Sequence, residues 1–187
     1  MYLGNFIKKL DKKLDKKYHK IFFSGIAFNS NLVKKNYIFF AIRGVKFDGN
    51  KFIADAINKG AKVIVSDKDI KLNNKNIVFI KDKNPRKLLA EISFKMIKKK
   101  PKNFIAVTGT NGKSSVADFY YQILNLNKNK AASIGTIGIQ QNNKKNSVEN
   151  TTLDPIKLRE VINNIISNKV KNIILEASSH GLKQNRL

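Results

Sequence analysis

Residues 105–115, read as I-A-V-T-G-T-N-G-K-S-S, constrain this chain more than any other segment. An apolar run breaks into a glycine-bearing turn, and the turn ends in Gly-Lys-Ser just ahead of a stretch with helical periodicity. That order delivers the backbone to the edge of a sheet and turns its N–H groups inward. It also adds the Lys113 charge and aims a helix N-terminus at an anion. It predicts a phosphate cradle made by Gly109, Thr110, Asn111, Gly112, Lys113, Ser114 and Ser115, with the Ser114 hydroxyl on Mg²⁺. The expected ligand is a nucleoside triphosphate, ATP. The loop departs from the standard pattern, because Val107 stands where its first glycine belongs and the glycine falls at Gly109. The plainer alternative is a strand–turn–helix connection that uses glycine for positive φ. Strand, turn and helix fall where phosphate binding needs them, which favours the cradle.

The rest of the chain alternates strands and helices in two units. In the first, residues 37–42 read as a strand, 52–59 as a helix closed by Gly60, and 61–66 and 77–80 as strands. Asn84 caps a helix with Pro85 in its first turn. The charged run Lys98-Lys99-Lys100-Pro101-Lys102 then separates residues 1–100 from 101–187. The second unit has a strand at 104–108, the loop, and a helix whose expected buried face is Val116, Phe119, Tyr120, Ile123 and Leu124. A strand at 131–139 and a polar connection at 140–150 follow. Pro155 opens a helix carrying Leu158, Val161, Ile162, Ile165 and Ile166, and a strand at 172–177 closes the series. Such alternation implies an α/β fold with parallel sheets covered on both faces. Ligands of such sheets sit outside the carboxyl ends of the strands. The cradle and Glu176 therefore belong to one sheet edge, where Glu176 is a hard oxygen donor for Mg²⁺.

Four segments, the loop among them, carry a resemblance. T-G-T-N-G-K-S-S is similar to the nucleotide loop of the Mur ligases, ATP-dependent amide-forming enzymes of peptidoglycan synthesis, and of their folylpolyglutamate synthase relatives. Asn150-Thr151-Thr152 with Asp154-Pro155, and Glu176-Ala177-Ser178-Ser179-His180-Gly181-Leu182, resemble segments of the MurE-type subfamily. Gln184 and Arg186 follow at that subfamily's spacing. Upstream, Phe39-Phe40-Ala41-Ile42-Arg43-Gly44 and Asp48-Gly49 look like its amino-terminal segment. Asn29-Ser30-Asn31 stands where the family commonly has Asp-Ser-Arg, and Leu153 where it often has proline.

The resemblance implies a small amino-terminal α/β domain that binds a UDP-sugar, followed by a truncated P-loop-type parallel-sheet ATPase domain. It implies transfer of the γ-phosphoryl group of ATP to the carboxylate of UDP-N-acetylmuramoyl-L-alanyl-D-glutamate, then attack on the acyl phosphate by diaminopimelate or lysine. Lys113, Glu176 and His180 take catalytic roles in that scheme, with Ser114, Glu176 and His180 at Mg²⁺. Ser30, Asn150, Thr151, Thr152, Ser178, Gln184 and Arg186 hold the acceptor. Outside the resemblance, Asn150, Thr151 and Thr152 read equally as a cluster before a helix N-terminus, and His180 as a loop histidine. Family members continue beyond the length of this chain into a carboxy-terminal amino-acid-binding domain. The expectation is a chain inactive by itself, with a sheet edge left open. Two other readings stand beside this one: a sister ligase of the folylpolyglutamate type, and a catalytically dead nucleotide- or UDP-sugar-binding module.

The net charge of +24 suggests a nucleic-acid partner. The excess is lysine spread through every segment, and arginine occurs only at Arg43, Arg86, Arg159 and Arg186. Arginine is the residue suited to bidentate readout, so no specific nucleic acid is expected. The start of the chain sets Leu3, Phe6, Ile7, Leu10 and Leu14 on one helical face among lysines. Such a helix packs on its own domain or lies on an anionic membrane; packing is preferred. There is no cysteine and no span-length apolar run. The expectation is a cytoplasmic monomer without stable membrane insertion.

Overall fold

The computed structural model describes residues 1–7, 18–44, 47–70, 74, 76–142, 144–146 and 153–186. The chain divides into two compact units, Met1–Lys95 and Met96–Leu187.

The first unit is built on a four-stranded sheet, every pair parallel, in the order β1 (Gly25–Ala27), β2 (Tyr37–Ala41), β3 (Ala61–Ser66) and β4 (Val78–Lys81). Because side chains alternate along a strand, β2 buries Ile38 and Phe40 on one face and Phe39 and Ala41 on the other. Phe39, Ala41 and Ile64 join Ile53 and Ala56 of helix α2 (Ile53–Asn58) in one core. Helix α3 (Pro85–Lys95) buries Leu88, Leu89 and Ile92. Its start follows the capping logic, with Asn84 Oδ1 accepting from the N–H of Lys87 at 3.0 Å.

At the amino terminus, α1 covers Leu3–Ile7, while the expected continuation through Leu10 and Leu14 lies outside the described residues. Leu3 is fully buried and Phe6 meets Phe23 edge-on at 5.3 Å. The described part of this segment packs on its own unit. Among the described residues, no helix is long and apolar enough to cross a membrane.

The second unit carries a five-stranded sheet. Its elements are β5 (Asn103–Val107), α4 (Lys113–Leu126), β6 (Ala131–Gly135), β7 (Gly138–Gln141), β8 (Lys144–Asn146), α5 (Pro155–Ser167), β9 (Asn172–Glu176) and α6 (Ser179–Lys183). The spatial order is β5-β9-β6-β7-β8, with β9 inserted parallel between β5 and β6. Helix α5 starts as its sequence predicts. Asp154 Oδ1 accepts from the N–H groups of Ile156 and Lys157, and Leu158, Ile162 and Ile165 are buried.

The structure corrects the expectations for residues 131–150, for the face of α4 and for the cover of the second sheet. Residues 131–139 are not one strand but an antiparallel hairpin, β6 and β7, joined by the two-residue turn Thr136-Ile137. The third antiparallel strand, β8, falls inside the stretch read as a polar connection. The second correction concerns α4. It packs on β6 and β9 and buries Ala117 and Tyr121, while Val116, Phe119 and Ile123 are exposed, Phe119 by 60%. The sheet selects the helix face through a small alanine, which a count of large apolar residues passes over. Phe104 and Ile105 of the edge strand β5 are likewise exposed, so the sheet is not covered over both faces along its whole width.

Candidate functional site

Strand register brings the cradle and the acidic residue together. Val107 pairs with Glu176, and the N–H of Ala177 donates to the carbonyl of Val107 at 2.8 Å. The loop leaves β5 immediately after this pair. Gly109 has φ +148° and Gly112 φ +79°, and Gly112 is the N-cap of α4. The left-handed backbone at Gly112 costs a side-chain-bearing residue about 1–2 kcal/mol, so conformation favours glycine there, although a Cβ would meet nothing within 4 Å. The fourteen-residue helix α4 then begins at Lys113, with its positive end at the loop. Lys113 Nζ lies folded over the cradle, donating to the carbonyls of Gly109 at 2.7 Å and Thr110 at 3.1 Å.

Glu176 is buried, 1% exposed, and its carboxylate is held by three donors. The Ser114 hydroxyl donates to Oε2 at 2.9 Å. Thr136 donates its backbone N–H to Oε1 at 3.0 Å and its hydroxyl to Oε2 at 3.0 Å. Hydroxyl and carboxylate oxygens are the hard donors that suit Mg²⁺, so Ser114 and Glu176 fit that ion. Thr136 was not among the residues singled out from sequence. The only local signal for it is G-T-I-G, a two-residue turn flanked by glycines.

His180 lies exposed on α6, and Gln184 Nε2 approaches its Nε2 at 2.6 Å. Among the described residues, no three metal-ligating His, Asp or Glu side chains gather. The structure thus brings Ser114 to Glu176 and pairs His180 with Gln184. Ser178 is the N-cap of α6, its hydroxyl accepting from the N–H of Gly181 at 3.0 Å. Arg186 follows α6, with its N–H donating to the carbonyl of Gly181. Asn150, Thr151 and Thr152 lie outside the described residues.

The first unit has a cavity of about 610 Å³ beyond the carboxyl ends of β1 and β2. Ser30, the candidate read from sequence in this unit, lines it together with Phe28, Phe47, Phe52, Asp55 and Arg86. Phe47 is 72% exposed, leaving an aromatic face open to a ligand. The Asp55 carboxyl is held below the usual carboxylate range, first by a hydrogen bond from Lys59 and then by one from the Ser30 hydroxyl. The aromatic residues and Arg86 carry no shared periodic signal, because they come from separate segments: Phe28 follows β1, Phe47 and Phe52 lie between β2 and α2, and Arg86 is in the first turn of α3.

Comparison with known proteins identifies the family. Residues 107–187 match the Mur ligase middle domain and residues 23–95 the Mur ligase family, catalytic domain. With two successive stretches matched in this order, the chain belongs to the Mur ligase family. It is 44% identical over 173 residues to the UDP-N-acetylmuramoyl-L-alanyl-D-glutamate--2,6-diaminopimelate ligase of Rickettsia montanensis, covering 90% of this chain and 35% of that protein. It is 38% identical to the enzyme of the same name from Brucella melitensis, covering 88% and 34%. The chain spans about a third of the length of the curated relatives it matches. A solved diaminopimelate ligase of that name superposes with a TM-score of 0.80 at 26% identity, over 100% of this chain and 38% of that one. The MurF ligase from Thermotoga maritima in complex with ADP shares the fold, with a TM-score of 0.54 at 21% identity over 82% of this chain and 32% of that one.

Proposed function

We propose that this chain provides the UDP-sugar-binding and ATP-binding portion of a ligase that adds diaminopimelate to UDP-N-acetylmuramoyl-L-alanyl-D-glutamate. One observation carries the reading: the glycine loop and the buried Glu176 leave adjacent paired strands, and Ser114 joins them by a 2.9 Å hydrogen bond. The choice of diaminopimelate over lysine is supported by the names of the relatives.

In this reading the triphosphate of ATP lies in the loop, against its backbone N–H groups and the end of α4. Lys113 turns from the Gly109 and Thr110 carbonyls to the phosphate oxygens and stabilises charge that spreads during transfer. Ser114 and Glu176 would hold Mg²⁺, which supplies charge neutralisation on the phosphates. The transfer joins the γ-phosphoryl group to the acceptor carboxylate and releases ADP. The incoming amine then displaces phosphate and an amide results. Ser178, Gln184 and Arg186 serve the acceptor side, with the Arg186 guanidinium suited to a carboxylate or phosphate. Asn150, Thr151 and Thr152 are assigned there by resemblance, and His180 is assigned a catalytic role at the cation by resemblance. In the first unit, the 610 Å³ cavity takes the uridine end. Its phenylalanines offer stacking surfaces, Ser30 a hydrogen bond and Arg86 a cation.

Calorimetric titration of the chain with Mg-ATP and with UDP-N-acetylmuramoyl-L-alanyl-D-glutamate tests this. Saturable binding of both is expected. Binding of dihydrofolate in place of the sugar dipeptide would transfer the chain to the folylpolyglutamate branch.

A further inference from the structure

The turn that connects β6 and β7 does more than reverse the chain. Thr136 reaches both oxygens of the Glu176 carboxylate across 40 residues of sequence, through its N–H and its hydroxyl. Gly135 clears the ground beside it, because a Cβ at that position would lie 2.1 Å from Glu176 Oε1 and 2.3 Å from the carboxyl carbon. No side chain fits at residue 135 while the carboxylate stands where it does.

A carboxylate has about four lone-pair sites. Thr136 takes two and Ser114 one, which leaves capacity for one further partner. The Ser114 proton is engaged on Glu176, so both lone pairs of its oxygen stay available. A buried carboxylate held at both oxygens has little rotamer freedom, and its burial at 1% exposure makes any lost donor costly.

We propose that the Gly135-Thr136 turn is a positioning clamp for Glu176: it fixes the carboxylate in the orientation that, with the Ser114 hydroxyl, receives the divalent cation accompanying the nucleotide. Thr136 is a positioning residue, acting through Glu176. The inference rests on the nucleotide-site reading above.

The test separates cation positioning from simple attachment of the hairpin. Thr136→Val keeps the shape and the backbone N–H but removes the hydroxyl; Thr136→Ser restores it. ATP affinity is measured by calorimetry in Mg²⁺ and in EDTA. Partners that orient a metal ligand typically contribute about 10- to 100-fold to metal affinity. The gain in ATP affinity on adding Mg²⁺ is therefore expected to fall by roughly that factor in the valine variant, with the EDTA affinity unchanged. The serine variant recovers the gain, and Gly135→Ala loses it. A valine variant with the full Mg²⁺ gain overturns the proposal. A second arm needs no ligand: urea unfolding of Thr136→Val, Glu176→Gln and the double variant. Non-additive effects are expected, and strict additivity also overturns the clamp. A parent chain that binds no nucleotide would refute the site reading, while the unfolding cycle would still decide the clamp.

Discussion

Lys113→Ala isolates the charge at the cradle. In the structure Nζ is bound to two carbonyls of its own loop, Gly109 at 2.7 Å and Thr110 at 3.1 Å. Both carbonyl-bearing residues are exposed, so in the variant water replaces the ammonium and folding loses little. A bound triphosphate has no such replacement, because its oxygens then face the loop without the cation. A hydrogen bond to a charged partner contributes about 1.5–3 kcal/mol. That range corresponds to a loss of Mg-ATP affinity of roughly 10- to 150-fold. Stability should change by less than about 1 kcal/mol, as for other exposed polar contacts. The assay is calorimetric titration of Mg-ATP into parent and variant, with urea unfolding of both proteins in parallel. Equal affinities would refute the phosphate role. A loss of stability as large as the loss of affinity would refute it differently, showing that the lysine holds the loop's shape.

Arg186→Ala is expected to weaken binding of the UDP-sugar dipeptide more than binding of ATP, and calorimetry with each ligand checks the order; loss of ATP affinity alone would remove Arg186 from the acceptor side. Phe119→Ala is expected to cost under about 1 kcal/mol in urea unfolding, as an exposed position does, whereas the core position read from sequence would cost about 3–5 kcal/mol. Asp48 gives a pH prediction. Its carboxyl is lowered from 3.8 to about 2, chiefly by the N–H of Asn50, then by the Asn50 side chain and Lys68. With the folded value below the unfolded one, the contribution to stability is whole above 3.8 and is lost as pH falls toward about 2. Thermal unfolding of Asp48→Asn from neutral pH to pH 2 should therefore show a shallower acid decline than the parent, and identical slopes would contradict it.

Local signals found the elements whose determinants are local. The β-branched run at 61–66 became β3 with the same bounds, and Pro155 marked the start of α5, which the Asp154 side chain proves to cap. The phosphate loop was legible because strand, glycine turn and helix are contiguous. The hairpin at Thr136-Ile137 escaped because its turn is short and carries an isoleucine within an otherwise apolar run. The face of α4 escaped because tertiary packing, not the helix's own periodicity, chose Ala117 and Tyr121. The Thr136–Glu176 pairing could not be read from spacing at all, since it depends on strand order.

Strand order also sets a timetable. In the first unit each strand pairs with the one made just before it, so the sheet can grow as the chain leaves the ribosome. In the second unit β5 has no partner strand, and β6 only β7, until β9 arrives to pair with both, and Asn103 meets Asn172, 69 residues later. Closing a loop of that length costs roughly 4 kcal/mol before any contact is gained. At about 5–20 residues per second, synthesis of the intervening chain takes on the order of 3–14 s. Through that interval the apolar residues of β5 and β6 wait without Ile173, Ile174 and Leu175, which β9 brings fully or almost fully buried. Chaperone capture and premature association have their opening there. Because Glu176 ends the same strand, the step that joins β5 to β6 through β9 also delivers the carboxylate to Ser114.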